Sequence, residues 1–175
     1  MEHSRARFLV ASSLGVSAAL LLDRVVARAA TASPSDVTAL NAAVELERAA
    51  IKAYEDAEAS KLLSAKVLAA ANLFKSDHAV HLAALEAAVR AGGGTPSTGI
   101  AKLAYPTLAS EHDVVAFALK TEELAASTYL SVVPELNDRE LAGLIASILG
   151  VETVHAGVLA EVLGTFPPYP GGLVK

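Results

Sequence analysis

Three glutamates and three histidines stand where helical spacing would set them among apolar residues: Glu47, His78, His81, Glu122, Glu152 and His155. Carboxylate oxygen and imidazole nitrogen together suit Fe, Mn or Zn. His78-x-x-His81 and Glu152-x-x-His155 each pair two donors at i and i+3. On a helix that spacing sets both donors on one side, within about 6 Å, so each pair can reach one metal centre. Carboxylates on stripes of Leu, Ile, Val and Ala cost on the order of several kcal/mol per charge unless something compensates. No Lys or Arg falls on these stripes. A divalent cation compensates best, and a buried hydrogen-bond network without metal is the alternative reading of the same residues.

The donors recur in an internal repeat. Tyr54 follows Glu47 by seven residues, and Tyr129 follows Glu122 by seven. From Glu47 to His81 is 34 residues, and from Glu122 to His155 is 33. Each half therefore offers one lone carboxylate, one tyrosine two turns on, and one i, i+3 pair. Tyr54 and Tyr129 read as core residues whose hydroxyls donate to carboxylates. Asp77, beside His78, is read as an outer partner of the cluster on the exposed side. His78 itself fits both a ligand and a surface position, because its stripe is ambiguous by one residue. His112, Glu45 and Glu123 read as outer-face groups.

Apolar spacing predicts four helices to carry these residues. The first opens at Ser33-Pro34-Ser35-Asp36, with Ser33 as N-cap, Pro34 at N1 and Asp36 at N3, and runs to about Glu58. The second runs from about Leu62 to Ala91 and stops at Gly92-Gly93-Gly94. The third starts at Ser110, with Asp113 as its capping partner, and ends before Pro134. The fourth follows Asn137-Asp138 and ends at Gly164. Short links make helices one and two, and helices three and four, antiparallel hairpins. Roughly 18 residues join the hairpins, a long crossover for a compact domain. The expected fold is an all-α four-helix bundle over residues 33–164.

Composition agrees and removes other chemistries. The chain of 175 residues has room for one domain, and its 53% hydrophobic content is dominated by helix-forming Ala and Leu. With no cysteine, disulfides, thiolate metal sites, iron–sulfur clusters and Cys nucleophiles are out. Residues 1–32 read as an N-terminal export signal. Arg5 and Arg7 precede an uncharged stretch from Phe8 to Leu22, and small-x-small cleavage signals end it at Ala29 and Ala32. The stretch is shorter than the roughly 20 residues that span a bilayer, so the mature chain is expected without stable membrane insertion. Ser4-Arg5-Ala6-Arg7-Phe8-Leu9 resembles an imperfect twin-arginine signal, with the general secretory route as the alternative. The expected location is the periplasm or cell surface. The remaining residues carry 10 basic and 17 acidic groups, which disfavours nucleic acid and suits metal ions as partners. Residues 165–175, with Pro167, Pro168 and Pro170, form a tail that cannot extend the fourth helix.

These residues resemble a known family. Leu-Asn-x-Ala-x-x-Leu-Glu (40–47), Asp-His-Ala-Val-His-Leu-Ala-Ala-Leu (77–85) and Val-Glu-Thr-Val-His (151–155) look like the exported ferritin-like domain proteins of bacteria. That superfamily of carboxylate-bridged dimetal bundles carries a lone Glu on helices one and three and Glu-x-x-His on helices two and four. The resemblance implies Fe or Mn, dinuclear or mononuclear, held by Glu47, His78, His81, Glu122, Glu152 and His155, with Zn as a redox-inert option. It implies ferroxidase, peroxidase or catalase-like action on O₂ or peroxide, and it is compatible with a homodimer. One position departs: where the family has a bridging Glu, this chain has His78, and a neutral imidazole cannot bridge as a carboxylate does. A metal-free exported bundle with a structural or stress-protective role is the competing expectation.

Overall fold

A computed structural model describes residues 32–165. The expected signal, apart from Ala32, and the tail beyond Thr165 lie outside these residues. Four helices follow in order: α1 (Pro34–Ala59), α2 (Ala65–Ala91), α3 (Glu111–Val132) and α4 (Arg139–Val162), with a 3₁₀ turn at Val133–Glu135. α1 pairs with α2 and α3 with α4 as the two principal contacts, α1 also packs on α3, and α2 meets α4 more loosely.

The helix ends follow local chemistry. Ser33 and Asp36 form a reciprocal capping box at the start of α1. Asp36 does more than cap, because its Oδ1 also accepts the backbone N–H of Asn137 at 2.8 Å and ties the start of α1 to the entry of α4. Ser110 and Asp138 cap α3 and α4. α2 starts at Ala65, three residues later than its apolar pattern predicts. Lys61 turns the chain with φ 59°, and Ser64 is still extended, so Leu62 and Leu63 belong to the reversal. α4 ends at Val162, two residues short of Gly164, whose φ of 77° terminates it.

Residues 92–110 carry no helix, and they are fastened to α1. Asn41 and Glu45 do the fastening. Asn41 Oδ1 accepts the Ser97 N–H at 2.7 Å, Glu45 Oε1 accepts the Ser97 hydroxyl at 2.6 Å, and the Glu45 carbonyl accepts the Ala101 N–H at 3.0 Å. Glu45, expected as an outer-face charge, is therefore half-buried under the crossover.

Two apolar clusters fill the bundle. One gathers Leu40 and Val44 of α1, Leu85 and Val89 of α2, Tyr129 of α3, and Leu141 and Ile145 of α4. The other gathers Tyr54, Ala71, Phe74, Val115 and Leu159. The first uses the N-terminal halves of α1 and α4 with the C-terminal halves of α2 and α3, and the second uses the reverse. Hence α1 points the same way as α4, and both run opposite to α2 and α3. The donor residues lie between the clusters on every helix.

Candidate metal centre

Each helix presents its donors on the turn between its two apolar segments. Burial is nearly complete: Glu122, Glu152 and His78 are 0% exposed, Glu47 1%, His155 2% and His81 8%. His78, for which the sequence allowed a surface position, is thus at the centre of the bundle. Its two ring nitrogens face the lone glutamates of opposite hairpins. Nδ1 stands 2.7 Å from Glu47 Oε2, and Nε2 stands 3.2 Å from Glu122 Oε1.

The donors fall into two overlapping groups. Glu47, His78, His81 and Glu152 form one, and His78, Glu122, Glu152 and His155 form the other. Within each, one donor atom per residue lies within 4.8 Å of all the others. His78 and Glu152 belong to both groups. All six residues singled out by spacing therefore converge.

The tyrosines close the polar layer from either side. Tyr54 donates to Glu122 and Tyr129 donates to Glu47, so each tyrosine serves the glutamate of the other hairpin. Burial and the facing carboxylates push both phenols well above their usual pKa, which keeps them protonated donors. Phe74, one turn before His78, stacks on the His155 ring with centroids 3.9 Å apart. Asp77, with its side chain 40% exposed, sets Oδ2 3.2 Å from His155 Nε2, on the ring edge away from Glu152. A carboxylate there fixes the ring's orientation and leaves Nδ1 facing inwards. His112 is exposed.

Charge inside the cluster is strongly organised. Burial alone would depress the His78 pKa, but the Glu122 and Glu47 carboxylates outweigh it and raise the group to about 11. His81 and His155 rise to about 9 for the same reason, through Glu152 with Glu47 and through Glu122 with Glu152 respectively. Burial pushes Glu47 and Glu122 up, yet their imidazole partners hold both below the usual carboxylate range. Glu152 is pushed up by burial. Its two oxygens, together with Glu122 Oε2, His81 Nδ1 and His155 Nδ1, are buried with no hydrogen-bond partner. His81 Nδ1 comes within 3.0 Å of Glu152 Oε1 but without hydrogen-bonding geometry. Five inward polar atoms left unpaired suit a cation, because orphaned buried donors and acceptors are otherwise costly.

A mostly apolar cavity of ≈ 420 Å³ lies at the end of the bundle where α1 meets α2. Leu63, Val67, Ala71, Val115 and Leu159 line it together with Tyr54, whose hydroxyl donates to Glu122, and with Lys66 and Glu161.

A model of the ferritin-like domain matches residues 35–165. The chain belongs to the ferritin-like domain family. Among solved structures, a conserved hypothetical protein of Mycobacterium tuberculosis is similar at 22% identity and TM-score 0.67, covering 78% of this chain and 96% of its own. Ferritin-like, diiron-carboxylate proteins of Bacillus anthracis are similar at 21% identity and TM-score 0.64, covering 74% of this chain and 95% of theirs. At such identities the likeness establishes the fold. A search of curated proteins returns no match. This member of the family carries a buried carboxylate and imidazole cluster of dimetal type, with the asymmetry that His78 introduces. Phe74 and Asp77 hold the His155 ring of this cluster from outside it.

Proposed function

We propose that this ferritin-like protein is exported and binds Fe or Mn in the bundle core, where it acts on O₂ or peroxide. The five unpaired atoms of Glu122, Glu152, His81 and His155 carry this reading, since all belong to the two donor groups. Glu47 and His81 would hold one ion, and Glu122 and His155 the other. Glu152 is the carboxylate common to both groups and can serve both. His78 also belongs to both, and it would offer one nitrogen after losing its proton. Fe or Mn bound there would supply one-electron chemistry towards O₂ or peroxide.

The chain's own residues prepare that centre. Tyr129 and Tyr54 hold Glu47 and Glu122 in place by donating to one oxygen of each. Phe74 and Asp77 fix the His155 ring. The cavity beside Tyr54, mostly apolar but with Lys66 and Glu161 in its lining, would suit the approach of a small neutral molecule. Residues 1–32 would direct export and be removed, with 33–164 as the working domain and 165–175 as its tail. N-terminal sequencing of the cell-envelope fraction tests that part.

A second reading has its own support. Three imidazoliums against three carboxylates make a neutral cluster, and the raised values of about 11, 9 and 9 for His78, His81 and His155 keep it so at neutral pH. On that reading the bundle is metal-free and structural. Elemental analysis of protein purified from its own compartment separates the two. About two Fe or Mn per chain, lost in Glu152→Ala, supports the metal reading. Absence of metal, with a melting temperature unmoved by chelator, overturns it.

A further inference from the structure

Between Glu140 and Glu161 the outer face of α4 carries no charged residue. The helix is long and apolar enough to cross a membrane by length and composition, yet only 33% of its most apolar 18-residue stretch is buried. Its core side is Leu141, Ile145, Ile148, Glu152, His155 and Leu159. The opposite side centres on Gly150. At about 100° per residue, Arg139, Gly143, Ala146, Val154, Gly157 and Glu161 all lie within about 40° of Gly150 on that outer face. Val154 is 63% exposed there.

Glycine inside a helix costs stability relative to alanine, so three of them on one face require a reason. The monomer offers none at Gly143 or Gly150, because a Cβ added at either meets nothing within 4 Å. The order of residues on the face offers one. It is complementary to itself when reversed about Gly150. Gly143 and Gly157 lie seven residues to either side, and Ala146 and Val154 four to either side. Arg139 and Glu161 lie eleven to either side. A second α4, antiparallel and related by a two-fold axis through Gly150, sets glycine opposite glycine along the seam. It sets each exposed Val154 against the small Ala146, and each Arg139 against a Glu161.

We propose that the outer face of α4 is the contact surface for a second copy of this chain, packed α4 against α4 about a two-fold axis at Gly150. Such an interface is isologous, so each favourable pair occurs twice. Glycines let the helix axes approach at the short end of the usual 8–10 Å range. The end charges select the antiparallel arrangement, because a parallel pair would bring Arg139 to Arg139 and Glu161 to Glu161. The same charges argue against a membrane as the occupant: one basic and one acidic end do not form the basic rim that an anionic surface attracts.

Sedimentation equilibrium of the full chain and cysteine cross-linking test the proposal together. Gly150→Leu fills open space in the monomer, so helix content should hold while the dimer dissociation constant rises about tenfold or more. Arg139→Glu and Glu161→Arg should each weaken the dimer, and the double variant should restore it to within about threefold of the parent. The chain has no cysteine, so Gly150→Cys introduces its sole thiol, which on a two-fold axis should join two copies under mild oxidation. Glu123→Cys, exposed on α3, should cross-link far more slowly. A monomeric parent, equal cross-linking at 150 and 123, or no rescue by the double charge reversal overturns the proposal. So does Gly150-dependent binding to phosphatidylcholine vesicles, which would make the face a lipid surface. Should Gly150→Leu fail to fold, the charge reversals and the cross-link still decide.

Discussion

Replacing His78 with glutamate would put a fourth carboxylate into a layer that already holds Glu47, Glu122 and Glu152. In the metal-free protein His78 faces Glu47 at 2.7 Å and Glu122 at 3.2 Å, with all three side chains at most 1% exposed. Removing one partner of a buried ion pair costs about 3–5 kcal/mol, because the remaining charge stays buried and unpaired. Proton uptake by one carboxylate would limit the loss, which favours the lower end. For a bundle of this size that corresponds to a fall in Tm of about 10–15 °C without metal. Metal should then act in the opposite sense. Each ion at a hundredfold its Kd contributes about 2.7 kcal/mol, and the variant's fourth carboxylate should make its gain on adding Mn larger than the parent's. Thermal unfolding of chelator-treated and Mn-loaded parent and His78→Glu proteins measures both effects. If the metal-free variant melts with the parent, His78 does not neutralise the glutamates. If Mn stabilises the variant no more than the parent, the cluster is not a metal centre with a missing carboxylate.

Other outcomes follow from individual contacts. Tyr129→Phe removes the hydroxyl donor to Glu47 and should cost about 1–3 kcal/mol in urea unfolding of the metal-free protein, since the carboxylate stays buried. Asp36→Asn should cost about 2 kcal/mol at pH 7. Burial raises the Asp36 pKa, but the N–H groups of Asn137 and Ser33 and the side chains of both residues hold it below its ordinary 3.8. Its contribution is therefore present above about pH 4 and lost as the pH falls through the depressed value, so the gap between parent and variant should narrow progressively in melts taken below about pH 4. Gly94→Ala should destabilise by about 1–3 kcal/mol, because the new Cβ meets Val37 Cγ1 at 2.5 Å and Val89 Cγ1 at 3.1 Å. Circular dichroism melts at equal protein concentration check it.

Helix number, caps and donor identity were legible in the sequence because each is a local matter. Ser33 with Asp36 and Ser110 with Asp113 announce helix starts within four residues, and the glycines at 92–94 announce a stop whose backbone turns positive at Gly93, φ 76°. Period and repeat spacing put Glu47, Glu122, Glu152, His81 and His155 on inner stripes, since a charged group amid Leu and Ala stands out in one dimension. The α2 start was misread because an apolar pattern does not register a turn residue such as Lys61.

What the tertiary structure decided were relations between elements. His78 could have faced solvent by its own helix. It is central because the packing of all four helices brings Glu47 and Glu122 to its two nitrogens from different hairpins. The tyrosine repeat did not reveal that each hydroxyl crosses to the other hairpin's glutamate. Nor did it reveal that Asp36 and Glu45 bind loops far along the chain. Periodicity determines which way a side chain points from its own helix, while contact depends on where the other helices stand.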